Sequence, residues 1–456
     1  MCSTLPAPTR REPSRPARRA AALIAAALAA AGTSVGCSPP QTPSASADVQ
    51  IALNTPQGVR AKQVMDMLNS DWPIGPVSVE TLAAADAVEP VSAVMDRLWW
   101  DRPYRLSSAT IGAGSATLNV TNAFGAHQLI ELRTDEQTEV TRLGVTTEKP
   151  VITSWRDVDA ALASTGARFS YQVSKVDDGR CEPVAGANTT ESLPLASIFK
   201  TYVLYAVAQA VTAGTVGWGD LLTITSEAKK LGSSGFDELP PGSRITVRQA
   251  AGKMIATSDN MATDLLIERL GPGAIERALA DAGHHDPASM TPFPTMHEIF
   301  ALGWGEPDVR DRWKSAGPDD RAALLREAES RPYEPDPQRT HSPGSAYGAE
   351  WYGSAEDICR VHAALQRIAV GAAAPVRDIM SEIPGIDLDR TEWPYIAAKA
   401  GNLPGDLTFS WYAVDRTGQA WVVSFQLNWP RYHSPNAGAW VMTIVKQVFA
   451  MLPGYR

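Results

Sequence analysis

Ser197-Ile198-Phe199-Lys200 places a hydroxyl three residues before an amine, at the start of the apolar run Thr201–Ala210 that reads as a helix. Positions i and i+3 share a helix face, so the amine can lie beside the hydroxyl. Serine becomes a nucleophile when a neighbouring base takes its proton, and a buried lysine with a lowered pKa can be that base. The spacing alone decides little, because Ser226-Glu227-Ala228-Lys229 has it too, in a polar stretch. A lone Ser-x-x-Lys is usually an ordinary helix start with a solvated lysine.

Two further segments give Ser197 its context. Ser258-Asp259-Asn260 follows the helical stretch Arg248–Ile255 and precedes another helical pattern from Met261. Lys399-Ala400-Gly401 ends the strand-like run that begins at Ile396. Two serines, two lysines and an asparagine, in that order, supply a nucleophile, a base, a proton relay and a cationic anchor.

Several other chemistries lack support. The seven histidines are scattered, with no His-Glu-x-x-His and no Cys-x-x-Cys, so no metal site is expected. There is no Gly-rich phosphate loop and no Gly-x-Ser-x-Gly elbow, and no organic cofactor is implied. The formal net charge is -9, and the first 36 residues hold five Arg and one Glu, so the body is more acidic than the total. That argues against nucleic acid as a partner.

The elements that must position these residues follow from the pattern along 456 residues, of which 44% are hydrophobic. Residues 1–36 combine basic Arg10, Arg11, Arg15, Arg18 and Arg19 with an apolar stretch over 20–31, as in a secretory signal. Residues 38–48 (SPPQTPSASAD) read as a flexible tether. Residues 49–146 read as a small α+β domain, with helical patterns at 59–68 and 77–100 and alternating strands at 116–121, 128–133 and 139–145. Trp99-Trp100 reads as core or interface aromatics, with a ligand pocket as the other option. Residues 156–456 hold the motifs, with strands at 169–176, 181–185, 396–401, 409–415 and 420–427 and a closing helix at 437–452. Residues 284–350 show only one clear helix, Asp319–Glu329. Cys181 and Cys359 are either a disulfide or two separate buried thiols.

Ser-x-x-Lys, Ser-Asp-Asn and Lys-x-Gly together resemble the signature of class A β-lactamases and penicillin-binding proteins. The segment Met254–Leu266 is similar to the class A helix that bears the second motif. The resemblance implies an α+β fold: a class A β-lactamase-like domain with a five-stranded antiparallel sheet plus an all-helical lobe. It implies that Ser197 forms an acyl-enzyme, Lys200 takes its proton and Ser258 relays a proton to the leaving group. Asn260 and Lys399 would bind substrate, Gly401 would sit beside it, and the amides of Ser197 and Asn402 would form the oxyanion hole. The substrate would be a small β-lactam. D-alanyl peptides or acyl esters are the alternative, and a sensor of β-lactams or peptidoglycan with little turnover is a third reading.

Two departures stand out. Ala400 replaces the hydroxyl residue expected to hold a substrate carboxylate. No Glu-x-x-Leu-Asn segment supplies a deacylating base, leaving Glu298 and Glu334 as candidates. Val35-Gly36-Cys37 resembles a bacterial lipobox, implying a lipidated Cys37 and a membrane anchor, or otherwise plain secretion. The layout as a whole resembles the two-domain hydrolases of clavulanic acid gene clusters, which implies an NTF2-like N-terminal domain.

Overall fold

The computed structural model describes residues 49–452; the signal segment, Cys37 and the tether lie outside the described residues. Contacts group the chain from Val49 onward into one unit. No helix among the described residues is long and apolar enough to cross a membrane.

The first part, from Val49, packs helices Pro56–Leu68 and Val88–Trp99 against a four-stranded antiparallel meander. Its strands are Arg105–Gly112, Ser115–Thr121, His127–Thr134 and Val140–Thr147. Helix Pro56–Leu68 starts where the Thr55 hydroxyl accepts from the Gly58 amide at 3.1 Å, with proline in the first turn. The strand Ser115–Thr121 alternates half-buried and buried residues, so Ala116, Leu118 and Val120 face a core shared with Val64, Leu68, Met95 and Leu98.

The second part is built on a five-stranded antiparallel sheet. Its order is Tyr395–Leu403, Asp406–Val414, Ala420–Asn428, Arg168–Asp177, Arg180–Ala187. One face carries helices Trp155–Ser164 and Pro435–Met451, packed through Trp411, Trp421, Phe425, Val441 and Phe449. The other face meets the helical lobe, whose centre is the fully buried helix start Ile198, Phe199 and Tyr202. Asp178 (φ 46°) and Gly179 (φ 71°) turn the chain between the last two strands, with Gly free of the Cβ clash that penalises this region.

Cys181, in the outer strand, is disulfide-bonded to Cys359, in helix Ala355–Ile368, across 178 residues of sequence. The bond ties sheet to helical lobe. Residues 284–350 contain more helix than the sequence reading expects: Met296–Trp304 and Arg310–Ser315 in addition to Pro318–Glu329.

Candidate active site

Ser197 lies in a single 3-10 turn, Ala196–Phe199, which leads directly into helix Lys200–Thr212. In such a turn residues i and i+3 eclipse, so Ser197 and Lys200 project to the same side. The turn is held from several directions. Phe199 stacks on Trp351 with ring centroids 3.8 Å apart. The Leu195 amide donates to the Trp351 carbonyl at 2.8 Å. Gln426 donates to the carbonyls of Gly353 (3.0 Å) and Pro194 (3.3 Å). Ala196 sits at φ 43°, a conformation that costs an L-residue roughly 1–2 kcal/mol. The buried carboxyl of Glu350 accepts from the Trp351 amide at 2.7 Å, next to the carbonyl that receives the Leu195 amide. Strain of this kind persists where the surroundings over-determine it.

Lys200 is completely buried. Its amine donates to the Ser258 carbonyl and to Asn260 Oδ1, both at 2.7 Å. These carbonyl oxygens can only accept, so they occupy two N–H groups and leave one position of the amine, with Ser258 Oγ 3.2 Å away. Burial pushes the Lys200 pKa well below its ordinary value, and the nearby Lys399 charge pushes it the same way, against Asp259 and Asp264. In the neutral amine the remaining position is a lone pair, ready to take a proton. Ser197 Oγ makes no hydrogen bond to this amine in the free protein; catalytic contacts commonly close only when substrate arrives.

Ser258 is also in the left-handed region, at φ 59°. This places its hydroxyl between two amines, because Lys399 Nζ donates to Ser258 Oγ at 3.0 Å and to the Ala400 carbonyl at 2.6 Å. Burial lowers the Lys399 pKa to about 7. Asp259 caps the next helix by accepting from the Ala262 amide at 2.8 Å, and also accepts from Ser233 Oγ and the Ser234 amide. It braces the loop and does not point at the amines. Asn260 accepts from Lys200 and donates to the Leu231 carbonyl at 3.0 Å.

The strand Tyr395–Leu403 is the sheet edge that runs past Ser197. A Cβ on Gly401 would strike the Ser197 amide nitrogen and lie 2.8 Å from Thr408 Oγ1, so glycine alone permits this approach. Thr408 Oγ1 donates to the Leu195 carbonyl at 3.0 Å, pinning strand to turn. Behind Lys399, Ser410 Oγ donates to the Lys399 carbonyl at 2.9 Å and accepts from His362 Nε2 at 2.9 Å. His362 is buried, and burial lowers its pKa to about 4, so it is a neutral donor.

Ser197, Lys200, Ser258, Asn260, Lys399, Gly401 and Asn402 therefore converge on one edge of the sheet, and the Ser226–Lys229 pair does not. The two carboxylates considered as a deacylating base have other partners. Glu298 belongs to a capping box, its carboxylate accepting from the Thr295 amide at 2.7 Å. Burial raises its pKa to about 7. Glu334 is exposed, and its carbonyl accepts from the Glu306 amide. Among the described residues neither bonds to Ser197, Lys200 or Ser258. Thr408, Ser410, His362 and Gln426 are positioning residues that no local motif announces, since each acts across a long sequence interval.

A candidate metal cluster, His284, His285 and Asp357, is explained by hydrogen bonding. His284 Nε2 bonds the Tyr352 carbonyl, and its Nδ1 accepts from the Asp286 amide. Asp357 completes the capping box of Ser354. Both ring nitrogens of His284 are therefore in use, and His285 Nδ1 bonds the Asp357 carboxylate at 2.5 Å.

Residues 153–330 match the sequence model of the beta-lactamase enzyme family. Residues 52–140 match a family described as ORF 12 gene product N-terminal. The first match includes Ser197, Lys200, Ser258 and Asn260 and ends before Lys399. No curated protein matches the sequence. Among solved structures, a beta-lactamase from Sphaerobacter thermophilus is 18% identical, with 67% of this chain and 99% of that one covered at a TM-score of 0.46. The chromosome-encoded beta-lactamase of Vibrio parahaemolyticus is 14% identical, with 66% and 98% covered at a TM-score of 0.45. A PBP-A mutant, solved as an acyl-enzyme complex with penicillin G, is 18% identical, with 65% and 96% covered at a TM-score of 0.44.

Proposed function

We propose, from the match of residues 153–330 to the sequence model of the beta-lactamase enzyme family, that this chain is a serine hydrolase that passes through an acyl-enzyme on Ser197. The observation that carries the reading is the buried pair of amines, Lys200 and Lys399, meeting on Ser258 Oγ at 3.2 and 3.0 Å beside the Ser197 turn.

In this reading Ser197 Oγ attacks a carbonyl carbon and its proton passes to the Lys200 lone pair. The developing oxyanion is met by the amides of Ser197 and Asn402. Ser258 Oγ gives its proton to the departing nitrogen or oxygen and is resupplied from Lys200. Lys399 holds Ser258 in place, and its positive form attracts electron-rich substrate groups. Water then attacks the acyl-enzyme. Lys200 is the base for this step too, and deacylation is slower than acylation.

β-Lactam amides are the first substrate class, on the family match. A stable acyl-enzyme with little turnover is the second reading, favoured by the lack of a Glu-x-x-Leu-Asn segment in the sequence. From the leader sequence we also propose lipidation at Cys37 and display on the outer face of the membrane. The test is intact-protein mass spectrometry of residues 38–456 with a penicillin, alongside Ser197→Ala. A transient adduct with ring-opened product on wild type only supports hydrolysis, and a stable adduct supports the second reading. An adduct on neither protein sinks both.

A further inference from the structure

We propose that the cavity behind the edge strand Tyr395–Leu403 receives an uncharged, apolar chain of the substrate, so that neutral esters or amides are preferred over carboxylate-bearing ones. The inference rests on Ser197 being the nucleophile, as argued above.

Side chains alternate along a strand. Lys399 and Gly401 face Ser258 and Ser197, so Ala400 and Asn402 face the other way. Both line a cavity of about 450 Å³, a volume within the usual range for small-molecule sites. Their cross-strand partners, Phe409 opposite Ala400 and Leu407 opposite Asn402, line the same cavity. Helix Pro435–Met451 contributes Gly438 and Met442, and the following wall is Trp429 and Tyr432.

No lysine or arginine lines this space, and its titratable residues are Asp406, Tyr432 and His433. Asp406 Oδ1 accepts from Asn428 Nδ2 at 2.6 Å and from Ser345 Oγ at 3.1 Å. The His433 ring packs between Phe124 and Trp429, with Nδ1 3.6 Å from the Asp101 carboxylate. A carboxylate entering here finds an acid and an apolar wall, and the hydroxyl that could have held it is missing at Ala400. The strand that supplies the Asn402 amide beside Ser197 thus supplies an apolar wall on its back.

The test uses two ester series on the chain from residue 38 onward, p-nitrophenyl acetate to octanoate for the acyl side and ethyl to octyl acetate for the alcohol side. p-Nitrophenyl hemisuccinate is the anionic comparison. The variant is Gly438→Leu, whose Cβ would meet Leu407 at an ordinary 3.5 Å and whose side chain fills the cavity. We expect kcat/KM to rise about threefold to fourfold per added methylene in one series, the worth of burying a CH₂. Gly438→Leu should flatten that rise, and the hemisuccinate should be slower than the butanoate. Binding of N-methyloctanamide, N-methylacetamide and octanoate to Ser197→Ala, followed by calorimetry, separates the two readings. Ser197-dependent turnover without chain preference, or with the hemisuccinate preferred, overturns the cavity assignment and leaves the nucleophile standing. Selective binding of the long amide without turnover of any ester overturns the nucleophile reading and upholds the cavity. Neither binding nor turnover overturns both.

Discussion

Ser197-x-x-Lys200 and Ser226-x-x-Lys229 have the same spacing, and both stand at the start of a helix. They differ in what surrounds the lysine. Lys200 is buried beneath Phe199 and Tyr202, with carbonyl partners at Ser258 and Asn260 and a second amine close by. Lys229 lies in the short helix Ser226–Lys230, none of whose residues is buried, and its amine donates to the carbonyls of Asp237 and Leu239. Burial and the neighbouring Lys399 amine push the pKa of the first amine well below its ordinary value. The second is a surface cation that staples a loop. Spacing brings two groups to one side of a helix, and desolvation turns one of them into a base.

The sharpest way to break this comparison is to exchange the serines for alanine. Ser197→Ala should abolish adduct formation, while Ser226→Ala should leave it unchanged, read by intact-protein mass spectrometry. Lys200→Met should slow acylation by about 10³-fold, within the span of general-base effects, and Lys229→Met should not change it in stopped-flow measurements. Gly401→Ala should come next, since its methyl group meets the Ser197 amide and must displace the turn; acylation should fall by about 10²-fold, the cost of a misplacement near 1 Å.

The pH dependence sharpens the contrast. Lys399 has a folded pKa of about 7, and its unfolded value is about 10.4. Between these values the unfolded chain binds a proton that the folded chain does not, so stability rises with pH from about 7 to about 10. It is lowest at and below about 7. Lys399→Met should remove part of that slope in urea titrations at a series of pH values. The acylation rate should rise with pH as the buried amines lose their protons. The smallest effect on the chemistry is expected at the disulfide. Cys359→Ala should lower stability by about 2–4 kcal/mol, seen as a lower urea midpoint, with acylation kinetics unchanged at low denaturant.

Much of the sheet could be read from sequence because its hairpins carry turn residues at the right places. Asp177-Asp178-Gly179 and Arg416-Thr417-Gly418 both mark reversals between alternating runs, and both close antiparallel pairs. Residues 284–350 resisted because helix Met296–Trp304 is apolar on most sides and lacks a periodic contrast. Its start was nonetheless legible. Thr295-x-x-Glu298 is a capping box, a signal that marks the first turn of this helix. The strand Arg105–Gly112 alternates too weakly to stand out from the residues after Pro103. The motif residues of the site were legible because each motif is local. Its supports were not: Thr408 reaches Leu195 across 213 positions and His362 reaches Ser410 across 48. The apolar role of Phe409 appears only once the register sets it opposite Ala400.

Asp101, at the end of helix Val88–Trp99, is fully buried and accepts from the Ser434 amide at 2.8 Å, Ser434 Oγ at 2.6 Å and Asn436 Nδ2 at 3.3 Å. Arg431 reciprocates by donating to the carbonyls of Trp100 and Arg102. The segment that these bonds secure contains Tyr432 and His433, two of the cavity's wall residues. The amino-terminal part is accordingly not a detachable passenger. A chain that began at residue 153 would lose these bonds, leaving the Ser434 amide and the Arg431 guanidinium to water and freeing the segment that carries two of the cavity's walls.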